Sequence, residues 1–356
     1  MKNERYIWNE YITEYSLDQK IVDNRDIFLK LFEKKWELFF KDLPYNLCQL
    51  NTGNRLRPQI AYLGFMANGN DLNSANLDYI VDIGISIELI HKSSILIDDL
   101  IDNDVSRHNE PTFHLVHGKD KTILFAVYLI SKAMDNLKNT LLFNKRTDSV
   151  FKKCIDLSIQ TLHDMSLGAL NEVSLTENTI FNSDHINQII QLETGALIRN
   201  SLLIGYYSNE GCNHDVEESF EKIGNACGYI FQVMNDLEPF CNTRKYQLHK
   251  GTINADYFKS KKNIVVAFMY ECLSEKEKRK FKSIDSSKHN DIQQLFFHYF
   301  EKYNILDCFM EEIDELAMKI LHLIDEVNKY GINELWGKNF KNFVLILVKA
   351  AKNRLE

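Results

Sequence analysis

The residues with the clearest chemical potential are four aspartates crowded into one short stretch, Asp98, Asp99, Asp102 and Asp104. Asp98 and Asp102 are four apart, so on a helix their carboxylates share a face. Like charges at that spacing repel, and the negative C-terminal end of a helix repels carboxylates again. The run leading in, Ser93-Ser94-Ile95-Leu96-Ile97, is largely apolar, which argues against a merely solvated acidic tip. A cation would offset both repulsions. Clustered oxygen ligands suit Mg2+, which takes one or two carboxylates and completes its shell with substrate phosphates. A second polar helix end follows at Phe231-Gln232-Val233-Met234-Asn235-Asp236-Leu237-Glu238, where Gln232 and Asp236 are again four apart. Alone it is a weak signal, but facing the first cluster it would hold another ion. His114 and His117 have a metal-like gap but no third ligand, and read as loop or core histidines.

These residues need long helices behind them, and the sequence supplies the pattern. Only Pro44, Pro58, Pro111 and Pro239 occur in 356 residues, with 14 glycines, so breakers are few. Helical periodicity dominates, and alternating strand patterns are nearly absent. Expected helices run near 55–67, 77–103, 121–143, 147–174, 183–208, 215–238, 262–273, 275–282, 289–302, 305–330 and 338–354. The 77–103 segment is apolar around much of its cylinder, through Leu77, Ile80, Val81, Gly84, Ile87, Leu89, Ile90 and Ile95. Such a helix belongs inside a bundle. Val105–Gly118 and 239–256 read as loops. The expected class is all-α, a single domain over 1–356 built as a many-helix bundle around a central cavity.

Composition removes some classes. The net charge of -8 gives no reason to expect a nucleic-acid partner. No apolar run approaches the length of a transmembrane segment, and the charged start MKNERYIWNEYITEY resembles no secretory leader. Seven cysteines without a C-x-x-C pair fit thiols in a reducing cytoplasm, where the chain is expected to work.

Together these residues resemble the trans-isoprenyl diphosphate synthase (polyprenyl synthetase) family, over about residues 51–264, with 265–356 as additional helices. The landmarks are Gly53-Asn54-Arg55-Leu56-Arg57-Pro58, Glu88-Leu89-Ile90-His91, the D-D-x-x-D run at 98–102, Arg107-His108-Asn109-Glu110-Pro111-Thr112, Glu193-Thr194-Gly195-Ala196, and Phe231-Gln232 with Asn235-Asp236. The resemblance implies an all-α bundle around a deep hydrophobic cavity, and a homodimer. It implies that Asp98, Asp99, Asp102 and Asp236, with Asn235 beside them, hold Mg2+, three ions once diphosphate is bound. Gln232 and Thr194 would support that site. Arg107 would contact an allylic prenyl diphosphate, joined by Lys250 and Lys261. Arg57 and His91 would serve the second substrate, isopentenyl diphosphate. In this family the residue five before the first aspartate governs chain length. Here it is Ser93, followed by Ser94, so the pocket is expected to admit chains of C20 or longer unless Phe125 or Tyr128 closes it.

The sequence also departs from the pattern. Asn54 stands where the family has Lys, and His108 where it has the second Arg of a pair. Glu193 replaces the Lys of the Lys-Thr motif. Asn235 and Pro239 replace the first and last Asp of the second motif. These losses predict weak isopentenyl diphosphate binding unless neighbouring lysines such as Lys92 or Lys262 substitute in space. Prenyl transfer from an allylic diphosphate therefore stands beside three alternatives. One is a derived terpene synthase that cyclises or quenches the chain. The others are a peptide prenylase and a regulatory subunit.

Overall fold

The structure, a computed structural model, describes residues 19–45, 51, 53–68, 73–108, 110–176, 182–241, 262–282, 289–330, 332 and 334–355. Lys250, Lys261 and Asn109, named above, lie outside these. Nearly everything described is helical. In chain order the helices are α1 Gln19–Lys41, α2 Leu56–Met66, α3 Ser74–Asp102, α4 Phe113–His117, α5 Lys119–Phe143, α6 Asp148–Val173, α7 Ser183–Ile190, α8 Ala196–Tyr207, α9 Glu217–Cys241, α10 Ile264–Cys272, α11 Glu275–Lys282, α12 His289–Lys302, α13 Ile305–Asn328 and α14 Glu334–Leu355. A π-helical turn, Gln191–Gly195, joins α7 to α8.

Three local features differ from the sequence reading. Helix α1 was not expected. It is held by Phe28, Phe32, Trp36 and Phe40, a ladder at four-residue spacing in which successive rings lie about 6 Å apart. The stretch between α3 and α5 is not a plain loop. Ser106–Arg107 pairs antiparallel with Glu110–Pro111, in register Ser106 to Pro111 and Arg107 to Glu110, and α4 follows. Helix α9 runs through Pro239 to Cys241 rather than ending before it. A proline near a helix end spoils only one hydrogen bond, and the helix stops within two residues.

Helix α3 is central, as its pattern implied. Ile80, Val81, Ile87, Leu89 and Ile90 are all buried, and the helix packs on α1, α2 and α5. Asn73 caps its start by accepting the Asn76 N–H at 2.8 Å, and Asn103 ends it in the left-handed region at φ 51°. Across the bundle α2 and α8 cross with their backbones touching. A Cβ on Gly205 would fall 1.9 Å from the Ala61 carbonyl oxygen, and one on Gly64 would fall 2.1 Å from that of Leu202. Such close crossing fixes α2, and with it Arg57, against the rest of the molecule. Among the described residues no helix is long and apolar enough to cross a membrane, and the described cysteines are all unpaired thiols.

Candidate active site

The acidic half of the site is the last turn of α3. Solvent reaches Asp98, yet protein crowds it closely, as for a group lining a cleft. That crowding pushes its carboxyl up to about 6, with Lys262 and Arg107 opposing and Asp102 and Glu172 adding to the rise. Asp102, one turn on, is half-buried. Asp99 points elsewhere. It is 1% exposed, and its Oδ1 accepts from Arg107 Nε at 2.8 Å and Nη2 at 2.6 Å. The short hairpin holds Arg107 in place. Asp104 N–H donates to the Asp99 carbonyl at 3.0 Å, and Thr112 Oγ1 donates to the Asp104 carbonyl at 2.6 Å. Burial works against the Arg107 charge, but Asp99, Asp98 and Asp104 outweigh it and raise the guanidinium further above its ordinary value.

The second polar helix end, on α9, is a hydrogen-bonded chain. Thr194 Oγ1 donates to Gln232 Oε1 at 2.9 Å, and Gln232 Nε2 donates to Asp236 Oδ1 at 2.8 Å. Asp236 Oδ2 accepts the Ile264 N–H at 2.8 Å, so this carboxylate also caps α10. Asp236 is buried, whereas Asn235 beside it is half-buried. Thr194 sits in the π-helical turn, an irregularity that recurs at functional sites. Glycines seat that turn. A Cβ on Gly168 would lie 2.5 Å from Glu193 Cγ, and one on Gly228 would lie 2.7 Å from Gly195 Cα.

The Glu193 charge does not stand open to the site. Lys262 bonds Glu193 Oε2 directly and Glu172 Oε2 at 2.9 Å. Lys262 is also the strongest opposing charge on Asp98. Sequence reasoning missed Glu172, since nothing in the helical pattern of α6 distinguishes it from a surface carboxylate.

The basic half lies on α2 and α3. Arg57 Nη1 lies 3.1 Å from His91 Nε2, and its guanidinium sits over the Phe231 ring at 5.7 Å. Arg57 therefore links the first-motif helix to the second. Burial pulls it down to about 10, against Glu88 and Asp98. His91 is driven well below its usual range by burial and by Arg57, Lys92, Arg107 and Arg55. It is neutral at physiological pH and accepts from Arg57 through Nε2, which places its own proton on Nδ1. Arg55 has a structural role. It bonds Glu33 at 3.0 Å and Glu88 at 2.8 Å, and stacks near Phe32 and Trp36. Those bonds hold it in the left-handed region at φ 55°. His108, by contrast, is exposed at the hairpin turn.

Ser93 and Ser94 turn their hydroxyls back on α3, to the Ile90 and His91 carbonyls at 2.7 and 2.9 Å. Asn136 of α5 donates to Asp82 O and Ser86 Oγ. Since α5 runs antiparallel to α3, two helical turns further brings Ser93 level with Phe125 and Tyr128. Phe125 is buried in an aromatic cluster, stacked on Phe113 at 5.2 Å, with Tyr45 edge-on at 5.2 Å and Tyr128 at 6.1 Å. His117 packs on Phe113 and Tyr45, and His114 is buried, so both histidines are core residues. No three His, Cys, Asp or Glu side chains among the described residues already converge as a ligand set. Two carboxylates on one helix face, without a closed protein cage, are a donor set of the kind Mg2+ takes when other oxygens complete its shell.

Comparison with known proteins assigns the family and the fold. The model of the polyprenyl synthetase family matches residues 41–299, wider than the 51–264 of the motifs. The short chain isoprenyl diphosphate synthase of Methanocaldococcus jannaschii is 26% identical over 76% of this chain and 78% of its own. The geranylgeranyl diphosphate synthase of Saccharolobus solfataricus is 26% identical over 73% and 75%. Among solved structures, geranylgeranyl pyrophosphate synthase from Corynebacterium glutamicum, complexed with isoprenyl diphosphate and magnesium, superposes with a TM-score of 0.73. It covers 95% of this chain and 99% of that one at 19% identity, a likeness of fold. On the extent of the family match, this chain is a member of the polyprenyl synthetase family.

Proposed function

We propose that the protein is a Mg2+-dependent prenyltransferase that ionises an allylic prenyl diphosphate and passes the allylic cation to the alkene of isopentenyl diphosphate. The observation that carries this reading is the meeting of an acidic and a basic half in one site, with Asp98 within electrostatic reach of Arg57, Arg107 and Lys262. Bound Mg2+ would neutralise the charge that develops on the departing diphosphate.

The chain's own residues do the rest. Asp98 and Asp102 offer oxygens on one face of α3 for the metal, and Asn235 and Asp236 would add theirs from the end of α9. Asp99 keeps Arg107 extended toward the same place, so the guanidinium needs no reorganisation when charge develops. Thr194 and Gln232 hold the second helix end in register. Lys262, fixed by Glu172 and Glu193, keeps a positive charge next to Asp98 despite the loss of lysine at position 193. Arg57 and His91 address the acceptor diphosphate, and the released diphosphate takes the proton from the condensed product. Ser93 leaves room for chains of C20 or longer. The exposed apolar residues of α4 and α5 support a homodimer.

The test is incubation with C10, C15 and C20 allylic diphosphates, with and without isopentenyl diphosphate, in Mg2+ and in EDTA. The expected result is chain-extended diphosphate only with Mg2+ and both substrates. A hydrocarbon or alcohol from the allylic substrate alone would replace this reading with a terpene synthase. No turnover without a cell extract would point to another acceptor, such as a peptide.

A further inference from the structure

The turn at Gly53-Asn54 has no basic side chain at position 54, and Asn54 is committed locally. Its Oδ1 accepts the Leu56 N–H at 3.1 Å, and its carbonyl accepts the Gln59 side-chain amide at 2.7 Å, so it braces the start of α2. A charge reaches this turn from another helix. Lys92 of α3 places its ammonium 3.5 Å from where a Cβ on Gly53 would stand, with Arg55 Nη1 3.9 Å from the same point. A Cβ there would only touch the ammonium; it is the φ of 125° that calls for glycine at this turn.

Arg55, Arg57 and Lys92 are all buried, and Glu33 and Glu88 are among the carboxylates that bond Arg55 and Lys92. Glu88 is shared, 2.8 Å from Arg55 but 3.4 Å from Lys92. Arg57 meets the neutral His91 and the Phe231 ring. Among the described residues, the donors Arg57 Nε and His91 Nδ1 are buried without a hydrogen bond, as is the acceptor Glu88 Oε2. Buried donors left unsatisfied are costly unless a ligand's acceptor atoms complete the site.

We infer that Lys92 supplies the cation for the acceptor diphosphate that position 54 lacks, making it a specificity-determining residue for the second substrate. This rests on the reading above that the acceptor carries a diphosphate. The ammonium comes from α3, one residue past His91, instead of from the turn itself. The charge lost from the motif is thus moved in sequence and kept in space.

The experiment is a double-mutant cycle read by calorimetry. Isopentenyl diphosphate is titrated into wild-type protein, Lys92→Met, Asn54→Lys and the double variant, each loaded with Mg2+ and a non-ionisable allylic analogue. Methionine keeps the length of the buried stem, and Lys92→Gln is run beside it as a second neutral variant. Losing one charge-assisted contact should weaken acceptor binding by roughly ten- to a hundred-fold. Affinity for the allylic analogue should hold within about threefold, because Lys92 lies away from Asp98 and Asp102 on α3. Asn54→Lys should recover about tenfold or more in the Lys92→Met background and gain less in wild type, the coupling expected of two cations serving one anion. Wild-type affinity in both Lys92 variants would overturn the inference while leaving the proposed function intact. A loss that Asn54→Lys does not recover would also overturn it, since Lys92 would then matter through packing alone. Wild-type protein that fails to bind isopentenyl diphosphate would overturn both.

Discussion

At the scale of single residues, the site divides by what each carboxylate and cation already touches. Asp98 meets solvent and is crowded by Asp102 and Glu172, whereas Asp99 is spent on Arg107. Asp98→Asn should therefore cut Mg2+-dependent diphosphate release by about two to three orders of magnitude with the urea midpoint unchanged or raised. Near-normal release from a folded variant would remove Asp98 from the site. Lys92 makes the opposite trade. Burial pulls its ammonium down from its usual value of 10.5 to about 8, against Glu88. The unfolded chain then binds more protons than the folded one between those values, so stability should rise as pH climbs from about 8 toward 10.5. Below pH 8 the full cost is present. Lys92→Met should remove it and stabilise the fold at pH 7 by about 1–3 kcal/mol, while abolishing the rise at alkaline pH. Urea melts of both proteins at pH 7 and pH 9.5 check this. A destabilised Lys92→Met at pH 7 would mean that the Glu88 ion pair outweighs desolvation.

At the scale of elements, legibility followed periodicity. The bundle class, the central α3 and the acidic helix end could be read because apolar residues recur at helical spacing and the aspartates break that pattern abruptly. Helix α1 also carries a signal, the Phe28, Phe32, Trp36 and Phe40 ladder, but one helical stripe with no chemical motif beside it does not single out an element. The partners of Arg55, Lys92 and Lys262 were not legible, since Glu33, Glu88, Glu172 and Glu193 come from three helices and a π-helical turn whose crossings no local pattern encodes. The same holds for the glycine contacts that seat that turn. Gly228→Ala would put a methyl 2.7 Å from Gly195 Cα. It should destabilise the fold by about 1–3 kcal/mol and reduce turnover beyond what unfolding explains, because Thr194 would shift from Gln232. A folded Gly228→Ala with full specific activity would show that the turn's position is not critical. Helix pairing also makes chain length testable. Ser93 of α3 stands level with Phe125 and Tyr128 of α5, so Ser93→Phe should shorten the product by at least one C5 unit. An unchanged product distribution would assign the limit to the aromatic cluster on α4 and α5.

At the scale of the whole molecule, α4 and α5 leave a run of apolar side chains uncovered. Leu115 and Val116 of α4 and Ile123, Leu124 and Val127 of α5 are between 47% and 69% exposed, although α5 buries its opposite face against α3 through Phe125, Leu129 and Ala133. Ile123 and Val127 are one turn apart, and Leu124 lies between them on the same side. Scattered exposed leucines need no explanation, but a contiguous apolar stripe on a charged chain does. Helix α5 also pairs with the helix that carries Asp98, so a partner seated on the stripe would stiffen the site from behind. Two copies of this chain meeting along α4 and α5 would hide the stripe symmetrically, and a stable interface would bury about 1,200–2,000 Å² in all. The expected outcome is a dimer by light scattering at micromolar concentration. Leu124→Asp with Val127→Asp would place two charges in each half of that interface and should yield monomers. Because the Ser93 wall and the Asp98 end of α3 lose their support, those monomers should also melt earlier and turn over more slowly. A wild-type chain that is monomeric at that concentration, or a charged variant that stays dimeric, would move the interface away from α5.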